Sequence, residues 1–541
     1  MLALAVYGQS VIKNEFVRWD DYALIVDNLA VQEMSLKNLR IIFTTYDPEL
    51  YVPLTLLSYQ FDAVVGGLKP ALVHAHNLVL HILTTLLVGW FVFLLSRKTA
   101  TAAVVAVLFA IHPLHTEAVA WASARKDLLS SFFYLLSLST FLVHRSRAST
   151  CRWYIVSIVA FLLGLLAKGM ILVLPLVLLL LTLREGRREW KSFGRELLPF
   201  FLLSVLFGII ALGGKSRIIM GSSFLEAVLL SGKATLGYLT HLFVPLRFSL
   251  LYPYTGSIAQ ATPDLTLSLL AVLGLTVAAW FLSKRTSRDL WCGWLLFLLP
   301  LVPSFFQHRR GENLGDIYFA SDRYAYLPSI GIFLIVALGI VSLSEWGRAW
   351  MAGAGVSAAS GVLFLSVLSF RQSAVWQNTE SLFSHVLRFY PNSQIAHLNI
   401  GNHYQRIGDV NSALREYNAA LKIRPTSLIY YNLGKLLLGA KDYNGAIGAS
   451  IKALELDPTM EDAYLNLGVA LLKQGREDEA LQVFRKGYAV IPSSLEIIYN
   501  LASLSLQKGN RADAGRYTKE ILTIDPEHPL TKALLQKVRG G

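Results

Sequence analysis

Trp19-Asp20-Asp21-Tyr22 sets two carboxylates side by side, just after a short apolar stretch at 1–12. Adjacent carboxylates repel, so one of them holds a proton more readily, which makes the pair a candidate general base. A solvated loop or a helix N-cap would use the same residues. A second polar stretch runs from His112 to Asp127. It packs His112, His115, Glu117, Arg125, Lys126 and Asp127 into sixteen residues. That composition suits a polar substrate pocket or an amphipathic interfacial helix. His112 and His115 straddle Pro113, so no zinc-type spacing is present.

Other polar residues interrupt apolar surroundings. His74, Asn77 and His81 share one helix face and must point inward. They read as structural hydrogen-bonding groups, with a metal pair at the loose i, i+7 spacing of His74 and His81 as the alternative. Lys168 stands at the end of an apolar run, where snorkelling is one reading. His308-Arg309-Arg310 and Ser321-Asp322-Arg323 fall in a late loop. Arg323 enters the next helix, where guanidinium and helix dipole together favour phosphate. An ion pair with Asp322 is the alternative. No P-loop, dinucleotide glycine motif or GxSxG occurs. Carboxylates with scattered cations fit transfer from a phosphate-linked lipid, a base activating the acceptor and cations stabilising the leaving phosphate.

These groups must be positioned by membrane helices. Of the 541 residues 54% are hydrophobic and only 16% charged, against about 25% charged in soluble domains. Disorder, a collagen-like fibre and a disulfide scaffold (two cysteines) are excluded. Apolar runs fall near 72–95, 99–111, 128–143, 153–167, 170–183, 197–213, 266–282, 290–306, 329–345 and 352–370. Basic residues occupy alternate loops, among them Arg97, Arg145, Arg187, Lys284 and Arg348, which the positive-inside rule makes cytoplasmic. The net charge of +13 is therefore mostly topology, and no nucleic-acid partner is implied. Parity requires 153–167 and 170–183 to be two short helices meeting at Lys168-Gly169. It also requires 225–246, with Lys233 and His241, to be re-entrant or interfacial. Residues 1–12 read as a truncated first helix, giving about eleven spans in an all-α bundle.

After Arg371 a period of about 34 residues emerges, the tetratricopeptide spacing. Asn399-Ile400-Gly401, Asn432-Leu433-Gly434, Asn466-Leu467-Gly468 and Asn500-Leu501-Ala502 recur, as do Ala413, Ala446, Ala480 and Ala514. Tyr417 and Phe484 share a position that Ser450 and Thr518 hold in the other repeats, and Pro425, Pro458, Pro492 and Pro526 close each one. The expected division is a membrane domain 1–371, a junction and half-repeat 372–391, four repeats over 392–526 and a capping helix in 527–541. Such arrays bind a peptide or partner in a concave groove, or act as a spacer.

Phe16–Asn28, Val52-Pro53-Leu54-Thr55, His112–Asp127, Arg323–Ser329 and Trp376–Gly401 resemble the transmembrane and tetratricopeptide-repeat-containing protein O-mannosyltransferases. The resemblance covers essentially the whole chain. It implies a GT-C glycosyltransferase, inverting, that moves a mannose-like hexose from a polyprenyl phosphate to a Ser/Thr hydroxyl on the periplasmic or lumenal face. It implies Asp20 as base, Asp21 as contact to the acceptor or to a divalent metal, and Lys168 and Arg323, with Arg309 and Arg310, as ligands of the lipid phosphate. His112, His115, Glu117, Arg125, Asp127, His74 and His81 would line the substrate pocket. The repeats would recruit the acceptor protein. Two departures stand out: Gly169 follows Lys168 where animal relatives often carry an acid, and the first helix is nearly absent. No Asn-x-Ser/Thr sequon occurs, which favours a bacterial homologue in the inner membrane with periplasmic repeats. The competing expectation is a non-catalytic, membrane-anchored repeat scaffold for envelope assembly.

Overall fold

The computed structural model describes residues 1–47, 50–146, 151–184, 190–215, 224–254, 262–306, 309–310, 317–343 and 348–539. The chain forms two compact units, Met1–Arg310 with Asp316–His385, and Val386–Gly541.

The first unit is a bundle of apolar helices. Among the described residues six are long and apolar enough to cross a membrane: Pro70–Ser96, Ala122–Ser146, Gly194–Gly214, Pro263–Arg285, Arg288–Phe306 and Gly355–Trp376. A seventh span is counted if Thr99–Ile111 and Pro113–Ala120, bent by 53°, act as one. Shorter apolar helices, Cys151–Ala167, Gly169–Arg184 and Ser329–Ser342, and the Leu2–Lys13 helix take the places of the other expected runs. The long, mutually packed helices satisfy their own backbone groups, as an apolar solvent demands. Within Ala122–Ser146, 72% of the apolar window is buried, against 22% for Gly194–Gly214 and Pro263–Arg285. The first is the central helix and the other two are peripheral. Phe224–Phe243 is helical but is not among the candidate spans. Its Gly232 meets the backbone of Leu269, where an added Cβ would lie 2.7 Å from Leu269 Cα.

Two breaks in these helices create the site. Pro113 has no N–H and pushes His112 into extended backbone (φ −72°, ψ 132°), which turns the chain inward after Ile111. Lys168 is also extended (φ −166°, ψ 129°), separating Cys151–Ala167 from the 3₁₀ turn Gly169–Val173 and the helix Leu174–Arg184.

The region after the first helix is more ordered than a polar loop. It holds the π-helical turn Tyr22–Val26 and the helices Leu29–Gln32, Leu36–Thr44 and Pro53–Gly66. Leu24, Ile25, Val31, Ile42, Val52, Leu56 and Tyr59 form its core, and Asn28 and Ser35 cap its helices. The all-α expectation needs one addition, a small antiparallel sheet ordered Pro253–Tyr254, Ile317–Tyr318, Arg309–Arg310.

Residues up to His385 belong with the membrane unit, beyond the expected division at 371. Gln377 O accepts from Glu15 N at 2.7 Å, Thr379 Oγ1 from Arg18 N at 2.9 Å, and Phe383 meets Trp19 edge-on.

The second unit is a row of helix pairs: Gln394–Ile407 with Val410–Ile423, Ser427–Gly439 with Tyr443–Leu456, Glu461–Lys473 with Glu477–Val490, and Leu495–Gln507 with Arg511–Ile524, then Pro529–Arg539. The repeated glycines allow close crossing. An added Cβ on Gly468 would lie 2.2 Å from the Phe484 ring, and one on Gly401 2.6 Å from Tyr417. In the second repeat an added Cβ on Gly434 would meet the small Ser450 at 3.0 Å, with Ala446 O and Ala449 Cβ at 3.6 Å. This is the physical meaning of the large–small alternation in the sequence.

Candidate active site

The two adjacent carboxylates have different surroundings. Asp21 is fully buried. Its Oδ2 accepts from Val17 N at 2.9 Å, and its Oδ1 accepts from the backbone amide of Ser123 at 2.9 Å and from the Ser123 hydroxyl. Burial pushes its carboxyl up to about 6, against the pull of these hydrogen bonds. Asp20 keeps about a quarter of its side chain exposed (26%), and its Oδ2 lies 3.3 Å from Lys126 Nζ. Asp21 therefore ties the first loop to the second stretch, and Asp20 faces the charged cluster.

That cluster gathers from three parts of the chain. Lys168 Nζ donates to Asp127 Oδ1 at 2.6 Å. The Arg323 guanidinium is paired with Glu117, whose other oxygen accepts from Arg323 N at 3.3 Å. Lys126, Lys168 and Arg323 are near enough to repel one another, each beside a carboxylate. Trp121 lies under two of them, 5.2 Å from Lys126 Nζ and 5.0 Å from the Arg323 guanidinium carbon, and stacks on Trp376 at 5.5 Å. Tyr324 faces Lys168 at 5.2 Å and Arg323 at 4.8 Å. Cations placed between carboxylates and aromatic faces keep their charges paired and can receive an anion.

Lys168 does not snorkel: it is buried and bonded to Asp127. Arg323 pairs with Glu117, while Asp322 accepts from Tyr252 Oη at 2.7 Å and bonds His241 Nδ1 at 3.0 Å. Arg323 lies in a 3₁₀ turn, Asp322–Ala325, ahead of the Ser329–Leu343 helix rather than at its first turn. The side chains of Arg309 and Arg310, and His308 altogether, lie outside the described residues.

Arg125 is turned away from the cluster. It pairs with Asp62, donates to Asn77 Oδ1 at 2.9 Å and Val73 O at 2.8 Å, and stacks over Tyr59. Three histidines are committed to the frame. His81 bonds Tyr326 Oη and Ala110 O, His115 bonds Phe109 O and Ser329 Oγ, and His112 bonds Leu242 O and accepts from Leu114 N. His74 is buried on the inner face of the Pro70–Ser96 helix. Geometry thus brings Asp20, Glu117, Asp127, Lys168 and Arg323 together. It sets Arg125, His81, His112 and His115 in supporting roles. Among the described residues no group of three or more His, Cys, Asp or Glu is arranged to hold a metal ion.

Trp121 and Tyr324 have no place among the expected site residues, and Lys126 and Asp322 enter there only as part of a polar stretch and as an alternative partner of Arg323. One signal was available: in Arg125-Lys126-Asp127 at a helix start, successive residues point about 100° apart, so three neighbours must find three separate partners. A small concavity beside the Glu117–Arg323 pair is lined by Glu117, Thr116, Ser249, Asp322, Trp376 and His385.

Bundle and repeats together define a polytopic α-helical integral membrane protein that carries a tetratricopeptide array. Models of the tetratricopeptide repeat match residues 398–461, 437–487 and 471–538. Along most of its length the chain is similar to the TMTC protein O-mannosyl-transferases. It is 22% identical to human Protein O-mannosyl-transferase TMTC3, covering 89% of this chain and 62% of that protein. It is 27% identical to human TMTC1, covering 71% and 49%. The chain thus spans less than two thirds of these relatives' length. Among solved structures the tetratricopeptide protein YrrB is 23% identical over 29% of this chain and 80% of its own, with a TM-score of 0.26.

Proposed function

We propose that this protein is a membrane glycosyltransferase that moves a mannose-like hexose from a polyprenyl-phosphate donor to a Ser/Thr hydroxyl of an acceptor protein. The observation that carries the reading is the convergence of Lys126, Lys168 and Arg323, each beside a carboxylate, next to the partly exposed Asp20. The TMTC homologues, named as protein O-mannosyl-transferases, support the substrate class.

In this reading the lipid phosphate sits among the three cations. Asp20 takes the proton of the acceptor hydroxyl, whose oxygen attacks the anomeric carbon. The bond from that carbon to the phosphate oxygen breaks, its electron pair leaves on the phosphate, and the anomeric configuration inverts. General-base assistance of this kind contributes about 10²–10⁴-fold, and fixed cations at the leaving phosphate add electrostatic stabilisation. Asp21 holds Asp20 in place through Val17 and Ser123. The repeats recruit the acceptor, and the chemistry takes place on the periplasmic face of a bacterial inner membrane, or on the lumenal face in a eukaryote.

Mass spectrometry of envelope proteins from wild-type and Asp20→Asn cells tests this. Hexose-modified Ser/Thr peptides should vanish in the variant. Unchanged modification, or rescue of a deletion by the repeats tethered to an unrelated helix, would favour a scaffold.

A further inference from the structure

The three ion pairs of the cluster are not equivalent. Lys168–Asp127 is 2.6 Å long, and Asp127 and Glu117 are closed off with side-chain exposures of 8% and 4%. Lys126–Asp20 is longer, at 3.3 Å, and joins a lysine only 3% exposed to a carboxylate that is 26% exposed. A buried lysine cannot be left without an anion, because an uncompensated buried charge is strongly destabilising. Asp20, nearer solvent, tolerates a change of partner. Lys126 also lies in the field of Lys168 and Arg323, the cations assigned to the phosphate.

We infer that Lys126 is a positioning residue that changes partners: it holds Asp20 before the donor arrives and turns to the lipid phosphate when the donor binds. This rests on the reading of the site as a lipid-phosphate glycosyltransferase. The charge balance supports it. A sugar phosphodiester carries one negative charge, and the monoester that leaves carries up to two. Over the reaction Asp20 gains the acceptor's proton and loses its charge, while the phosphate gains one with the electron pair of the broken bond. One negative charge thus moves from Asp20 to the phosphate, and Lys126 stays paired throughout.

Undecaprenyl phosphate, the carrier without sugar, is the probe, and full-length protein in nanodiscs is titrated by native mass spectrometry. Lys126→Met should weaken binding about tenfold or more, as loss of a buried charged partner does, and Lys126→Arg should largely retain it. Asp20→Asn should tighten binding, because a competing carboxylate is gone. That gain should vanish in the Lys126→Met background. The inference is overturned if Lys126→Met binds like wild type, if Asp20→Asn does not tighten binding, or if the tightening persists without Lys126. Wild type failing to bind the carrier would sink the donor reading as well. Wild-type binding with an indifferent Lys126→Met sinks the partner change alone.

Discussion

The backbone amide of Ser123 donates to Asp21 Oδ1 across 2.9 Å, joining residues 102 positions apart. Through this bond the first loop is fixed to the start of the central helix, and Asp20 is carried to Lys126. Asp21 therefore acts as the clamp, and Asp20 as the group with access.

The clamp should be visible in stability against pH. Burial pushes the Asp21 carboxyl up to about 6, from about 4 in an unfolded chain. The folded state then binds the proton more tightly than the unfolded one. Its contribution is fully present below the unfolded value and is lost as pH rises through the window from about 4 to 6, on the order of 2–3 kcal/mol. Thermal unfolding of detergent-solubilised protein from pH 4 to 7 should show this fall, and Asp21→Asn should lack it. A wild-type–variant difference constant across the window would contradict the assignment.

The Glu117–Arg323 pair gives a second test. Both side chains are buried. Removing one partner of such a pair costs about 3–5 kcal/mol, because the other is stranded. Glu117→Gln and Arg323→Gln should each lower the melting temperature clearly. The double variant should lie well above the sum of the two losses. Strict additivity would show that the two charges do not depend on each other.

In the repeats, Gly468→Ala places a Cβ 2.2 Å from the Phe484 ring. Overpacking of this kind costs about 1–3 kcal/mol, and Phe484→Leu should relieve part of it. Gly434→Ala, whose Cβ would meet Ser450 Oγ at 3.0 Å, should cost less. Hydrogen exchange of the helices Glu461–Lys473 and Ser427–Gly439 in the full chain reads both. Equal loss of protection in the two variants would contradict the packing argument.

Much of the fold is legible in the residues because the two strongest signals are periodic. Apolar length marks the spans, and the recurrent glycine, alanine and proline positions mark the repeats. The break at Pro113 follows from local chemistry, and the two short helices meeting at Lys168 follow from the parity of the basic loops. The site was harder to read. Lys126 sits between Arg125 and Asp127, and no pattern tells which of the three faces the first loop, since that depends on packing against residues roughly 100 positions away. The histidines were misleading for a related reason. An intramembrane histidine looks functional, yet His81 and His115 complete backbone carbonyls and hydroxyls that only the bent Thr99–Ala120 segment brings near. The first loop hid its own core because its short helices carry too few apolar residues to show a period.

The most direct test of the central claim is the rate of hexose transfer from a purified polyprenyl-phosphate hexose to an acceptor peptide by reconstituted wild-type and Asp20→Asn protein. The account predicts that the substituted amide, which cannot take the proton, slows transfer about 10²–10⁴-fold, while undecaprenyl phosphate still binds. Transfer at the wild-type rate by the Asp20→Asn protein would contradict it.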